Sequence, residues 1–176
     1  MSALDRALNR LEDAFLLVSC CCVLAIVVIT TADVVARGAF NAPFAWSHDL
    51  ITQYLLVAMF FLSLPYVTRI GGHMSLDFLA RKVRHKRLRT WLALIGETLA
   101  LLFVVGFVCA AWGTAYDAYQ AGDMLAGDLP WPTWPSRLLG PVGASVLAAR
   151  LLIRIGQAVQ ALRDGTHPPY LGQGSH

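Results

Sequence analysis

Apolar residues in this chain fall into four long runs, over residues 14–36, 47–68, 91–116 and 136–158. Each can form a helix of about 20 residues or more, enough at 1.5 Å per residue to cross roughly 30 Å of hydrocarbon. Stretches such as Val23–Ile29 and Leu99–Val108 lack the period-two alternation of a barrel strand. Lipid offers no partners to backbone N–H and C=O groups, and helices satisfy them internally. The pattern predicts an all-α integral membrane protein: one domain of four transmembrane helices over residues 1–163, then a Gly/Pro-rich polar tail over 164–176 expected to be disordered.

Two shorter stretches are amphipathic. Leu4, Leu8 and Leu11 share one helical face in residues 2–13, with Arg6 and Arg10 on another. This segment is either a short helix lying on the membrane surface or a continuation of the first span into water. In Leu76–Leu88, the residues Leu76, Leu79 and Val83 oppose Arg81, Lys82 and Arg84, the pattern of an interfacial helix on anionic headgroups.

Composition agrees with the membrane assignment, at 57% hydrophobic residues and a mean hydropathy of +0.57. The net charge of +3 does not call for nucleic acid, because most of the excess sits in one loop. Arg69, Arg81, Lys82, Arg84, Lys86, Arg87 and Arg89 lie between spans two and three, whereas no Lys or Arg separates span three from Arg137. By the positive-inside rule residues 69–90 face the cytoplasm, both termini do too, and 38–46 and 117–135 face outward, to the periplasm of a Gram-negative host. The first run exceeds a signal-peptide core and ends in Asp33–Arg37 without a small-residue cleavage site, so it reads as a retained span. Cys20, Cys21 and Cys22 lie shallow and Cys109 deep from the cytoplasmic side, which suits packing rather than a disulfide.

Ionisable residues within spans are costly and usually paired. Asp33 and Arg37 stand four apart, the spacing of a helical ion pair, although Asp49 at similar depth offers Arg37 an inter-helix alternative. Glu97, about two turns into span three, matches Arg150 and Arg154 of span four in depth, so either can pair with it; a proton-relay carboxylate is the rival role. Asn41 or Ser47 is available to cap the second span. Trp131 and Trp134, set among the prolines of the second outer loop, fit an aromatic belt.

Enzyme chemistry finds no footing. His48, His73, His85, His167 and His176 lie at span ends, in loops or in the tail, unlike paired haem ligands, and no zinc spacing, nucleophile elbow or phosphate loop occurs. No catalytic, cofactor or metal residues are expected. An independent transporter needs a polar midplane site, whereas here polar groups gather near span ends, Gln53 apart. The residues describe a membrane scaffold or accessory subunit.

Asp33-Val-Val-Ala-Arg37-Gly-Ala-Phe40-Asn41-Ala-Pro43-Phe-Ala-Trp46-Ser-His-Asp49 resembles a signature of the small transmembrane (DctQ-type) subunit of TRAP, the tripartite ATP-independent periplasmic transporters. In that family an Asp and an Arg end the first helix, followed by an aromatic, an Asn, a Pro-containing turn and Trp-x-x-Glu. The second family signature is matched by Gly71-Gly72-His73-Met74-Ser-Leu-Asp77. Asp49 replaces the usual Glu, and Pro65 stands where small residues are common.

The resemblance implies a bacterial inner-membrane, multi-pass subunit. It would act as stationary scaffold for a large elevator-type subunit, which carries substrate and Na⁺. It would also help dock a periplasmic substrate-binding protein during uptake of a solute such as a carboxylate. The implied partners are those two proteins and membrane lipids. Phe40, Pro43, Trp46, Trp131 and Trp134 form the candidate docking surface, and His73 and Asp77 shape the turn after helix two. Two rivals differ in partner: a membrane anchor of a quinone-linked oxidoreductase, and the small subunit of a tripartite tricarboxylate system.

Overall fold

The computed structural model describes residues 3–41, 44–70, 86–124 and 131–164. Helix α1 spans Ala3–Phe40 and α2 spans Ala45–Leu50. A π-helical turn at Ile51–Leu55 runs directly into α3, Leu56–Arg69. Helices α4, Lys86–Ala121, and α5, Trp134–Asp164, complete the chain. These give four helical units long and apolar enough to cross a membrane: Asp5–Phe40, Trp46–Arg69, Thr90–Ala121 and Trp134–Arg163.

The observed helices overrun the apolar runs because backbone hydrogen bonding continues until a residue breaks it. Of the two readings of residues 2–13, the structure adopts continuation: α1 is one unbroken helix of 38 residues. It ends at Asn41, which takes a left-handed conformation (φ 50°), and α4 is followed by Gly122 in the same region (φ 62°). Both residue types commonly follow a helix in this conformation. Neither Asn41 nor Ser47 caps the second span. Its N-cap is Phe44, whose backbone N–H donates to Asp33 Oδ1 at 2.7 Å, and Ser47 Oγ donates back to Phe44 O at 2.8 Å.

The helices form an open row rather than a closed bundle. Helix α1 packs on α3, α3 on α5, and α5 on α4, while α1 and α4 stand at the two ends. Helix α5 accordingly carries the greatest burial. Its inner stripe is Ala144, Leu147, Leu151, Ala158 and Ala161, interleaved with Arg150 and Arg154 at helical spacing. Between apolar helices in lipid, small residues permit close backbone approach. Gly143 marks the closest crossing, since a Cβ there would fall 2.4 Å from the carbonyl oxygen of Phe61. Pro65, four residues beyond Phe61, has no N–H for that carbonyl. The proline and the glycine thus act together at one α3–α5 contact. Ser19 adds an α1–α3 bond, donating to Met59 O at 2.8 Å.

The segment 71–85, which includes His73, Asp77 and most of the expected interfacial helix, lies outside the described residues, as do Pro43 and 165–176 of the expected tail.

Candidate functional site

The polar side chains of the helices converge near the end where α1 begins and α3 finishes. Glu12, on α1, has no solvent exposure. Arg150 of α5 grips it with both arms of the guanidinium: Nε to Oε1 at 2.5 Å and Nη2 to Oε2 at 2.6 Å. The same Nη2 donates to Asn9 Oδ1 at 2.5 Å. Such bidentate, charge-assisted pairing offsets the desolvation of two buried ions.

Arg69, the last residue of α3, extends the cluster. Its Nη1 lies 3.4 Å from Glu12 Oε2 and donates to Asn9 O at 3.0 Å. Its Nη2 pairs with Asp13, and its guanidinium sits 4.6 Å from the Tyr66 ring centroid. Arg154, one turn along α5, joins the remaining helices. Its Nε stands 3.0 Å from Glu97 Oε1 on α4, and its Nη1 donates to Thr68 O on α3 at 2.6 Å. Thr68 O belongs to the last turn of α3, where carbonyls lack intrahelical partners. Three carboxylates and three guanidinium groups therefore link all four helical units.

Of the partners left open for Glu97, the structure brings Arg154 to it and gives Arg150 to Glu12. Glu12, Asn9, Asp13 and Thr68 escaped the sequence reading, and Arg69 entered it only as a cation of the basic loop. A signal existed: Asn9, Glu12 and Ser19 recur at i, i+3 and i+10, one helical face, and Glu12 and Ser19 are buried. Leu4 and Leu8, which precede Glu12 at four-residue spacing on the adjoining face, drew the amphipathic reading instead.

At the opposite end, Asp33 organises the α1–α2 turn. It accepts from Arg37 Nη2 at 2.9 Å and, through its other oxygen, from the Phe44 N–H. The inter-helix alternative is not adopted; Arg37 stays on its own helix, and Asp49 makes no ion pair among the described residues. Phe44 stacks on Trp46 with ring centroids 5.8 Å apart, and Phe40 is largely exposed. At the entry of α5 the Tyr54 hydroxyl donates to Pro132 O, beside a Tyr54–Trp131 ring contact at 6.0 Å. Trp134 meets Tyr119 edge-on at 5.8 Å. The docking candidates thus occupy two separate turns. Phe40 and Trp46 flank the α1–α2 turn from the helices on either side, and Trp131 and Trp134 stand at the entry of α5.

This arrangement holds helices together at one end and shapes two aromatic turns at the other. A family description, "Tripartite ATP-independent periplasmic transporters, DctQ component", matches residues 26–161, more than half of the chain. No curated protein and no solved structure matches it. The matched region includes Asp33, Arg37, Glu97, Arg150 and Arg154, but not Glu12. The description is that of a TRAP transporter component and of neither rival, the redox anchor or the tricarboxylate-system subunit. The chain belongs to the DctQ family, the small permease component of TRAP transporters.

Proposed function

We propose that this subunit is the stationary scaffold on which a large elevator-type subunit moves, and that its aromatic outer turns help dock the periplasmic substrate-binding protein. The supporting observation is the network of Glu12, Arg69, Arg150, Arg154 and Glu97, which ties all four helical units together at one end. Its charged groups satisfy one another, as a rigid support requires and as a transport pathway does not. The large residues Leu17, Leu24 and Val28 of α1, and Leu99, Leu102 and Phe103 of α4, are exposed on the two end helices. Faces of this kind suit lipid or a membrane partner.

In this reading the network end is cytoplasmic, next to the basic loop, and the aromatic turns are periplasmic. The inner membrane of a bacterium is the setting. Na⁺ and solute, a carboxylate in our proposal, pass through the large subunit. Glu97 serves as a counter-ion for Arg154 rather than as a proton relay.

The test is Na⁺-driven carboxylate uptake into proteoliposomes holding the large subunit, with and without this chain, titrated with binding protein. A scaffold and docking role requires uptake to need this chain. It also requires Trp134→Ala to raise the half-saturating binding-protein concentration without lowering the maximal rate. Equal uptake without this chain would defeat the proposal.

A further inference from the structure

Helices α3 and α4 both pack on α5, and in the outer half of the molecule a hollow of about 400 Å³ lies between them. Val57 and Phe61 form one wall, Phe107 and Ala111 the other, and Gly140 of α5 the floor. The inner end is marked by Phe61 and Phe107, whose rings stack at 5.4 Å between centroids, 13° from parallel. The wall from Phe107 to Thr114 rises about 10 Å, enough for a substantial part of one acyl chain. Gly140 matters to the shape because a Cβ there would already touch both rings, at 3.7–3.9 Å, and a larger side chain would project into the slot.

The outer end of the slot is charged. Arg137, in the first turn of α5, lines it. Its Nη2 stands 3.9 Å from Asp123 Oδ2, and both side chains are about half exposed, at 45% and 48%. That separation exceeds hydrogen-bonding distance, so both groups retain capacity for another partner. Their relative position is fixed by backbone: Thr133 donates to Asp123 O through its N–H at 3.0 Å and its hydroxyl at 3.1 Å, and Arg137 N–H donates to Thr133 O at 3.2 Å.

A cation lining the end of an apolar slot, with an anion beside it just beyond the lining, complements an amphiphile whose headgroup bears a phosphate and an ammonium. We propose that the slot between α3 and α4 binds one phosphatidylethanolamine molecule, with an acyl chain against Phe61 and Phe107, phosphate on Arg137 and ammonium on Asp123. Phosphatidylglycerol brings no cation for Asp123 and sets its charge against that carboxylate. Phosphatidylcholine has no N–H to donate to it. The site thus selects among phospholipids by headgroup, and it is independent of the transport role.

Native mass spectrometry of the detergent-purified complex of this chain with its large subunit tests this. The complex is delipidated and then supplied with phosphatidylethanolamine, phosphatidylglycerol or phosphatidylcholine. One phosphatidylethanolamine should be retained in preference to the other two. Arg137→Gln, at a half-exposed position, should weaken retention about tenfold without moving the midpoint of thermal unfolding, as loss of a charge-assisted bond to the lipid implies. Asp123→Asn should abolish the preference over phosphatidylglycerol, and Gly140→Leu should displace the lipid. Equal retention of all three lipids, or unchanged retention in Arg137→Gln, would overturn the proposal. So would cross-linking of Thr114→Cys to a large-subunit helix seated in the slot.

Discussion

Removing one side of the Glu12–Arg150 pair strands a buried charge, a change that costs about 3–5 kcal/mol in comparable buried pairs. Arg150→Ala should therefore lower the midpoint of thermal unfolding of the detergent-solubilised subunit sharply, and Glu12→Ala comparably, because each exposes the other to the same defect. Glu12→Gln combined with Arg150→Gln removes both charges and should recover part of the loss. A double variant as unstable as the sum of the singles would show that the two do not act as a pair. Glu97 admits a sharper distinction. With Arg154 at 3.0 Å, Glu97→Gln should reduce stability and complex yield together. Intact assembly with abolished transport would instead assign Glu97 to proton movement. At the end opposite the network, Asp33 holds both Arg37 and the Phe44 N–H, so Asp33→Ala should cost about 1–2 kcal/mol and loosen the α1–α2 turn. Faster hydrogen exchange at the Phe44 amide would report it.

Among the elements, α5 carries the packing through its stripe of small residues, and Gly143 is its tightest point. A methyl at Gly143 meets the Phe61 carbonyl, which is backbone and cannot rotate away. Gly143→Ala should therefore separate α3 from α5 and destabilise the subunit by about 1–3 kcal/mol, read as a lowered midpoint of thermal unfolding. Gly156, with open space around its Cβ position, is the control that should change little. The four helices were legible in the sequence because each apolar run is far longer than any soluble core segment needs. Their order was not. In lipid both faces of a helix are apolar, so hydrophobic periodicity loses its power to point inward, as the exposed Leu99, Leu102 and Phe103 of α4 illustrate. The informative positions are small or charged: Gly143, Ala144 and Ala158 on one hand, Arg150 and Arg154 on the other. Matching depths brought Glu97 and Arg154 within view. Glu12 stayed hidden because its neighbours Leu4, Leu8 and Leu11 describe a surface helix equally well, and only a buried neighbour on α5 distinguishes the two.

For the whole molecule, an open row of four helical units behaves as one plate only if its joints do not slide. The network closes one end and Gly143 and Ser19 close the middle, so α1, α3 and α5 should keep their register throughout a transport cycle. A cysteine pair replacing Ser19 and Met59, adjacent across the α1–α3 contact, tests that register directly. It is placed in a background where Cys20, Cys21, Cys22 and Cys109 are alanine, since those native thiols would otherwise compete. The decisive measurement is solute uptake by proteoliposomes of the complete transporter before and after oxidation of this pair. A stationary scaffold requires the rate to survive cross-linking and to be unchanged by subsequent reduction. Uptake that stops on oxidation and returns with reductant would show that these helices slide during transport, and would contradict the scaffold role.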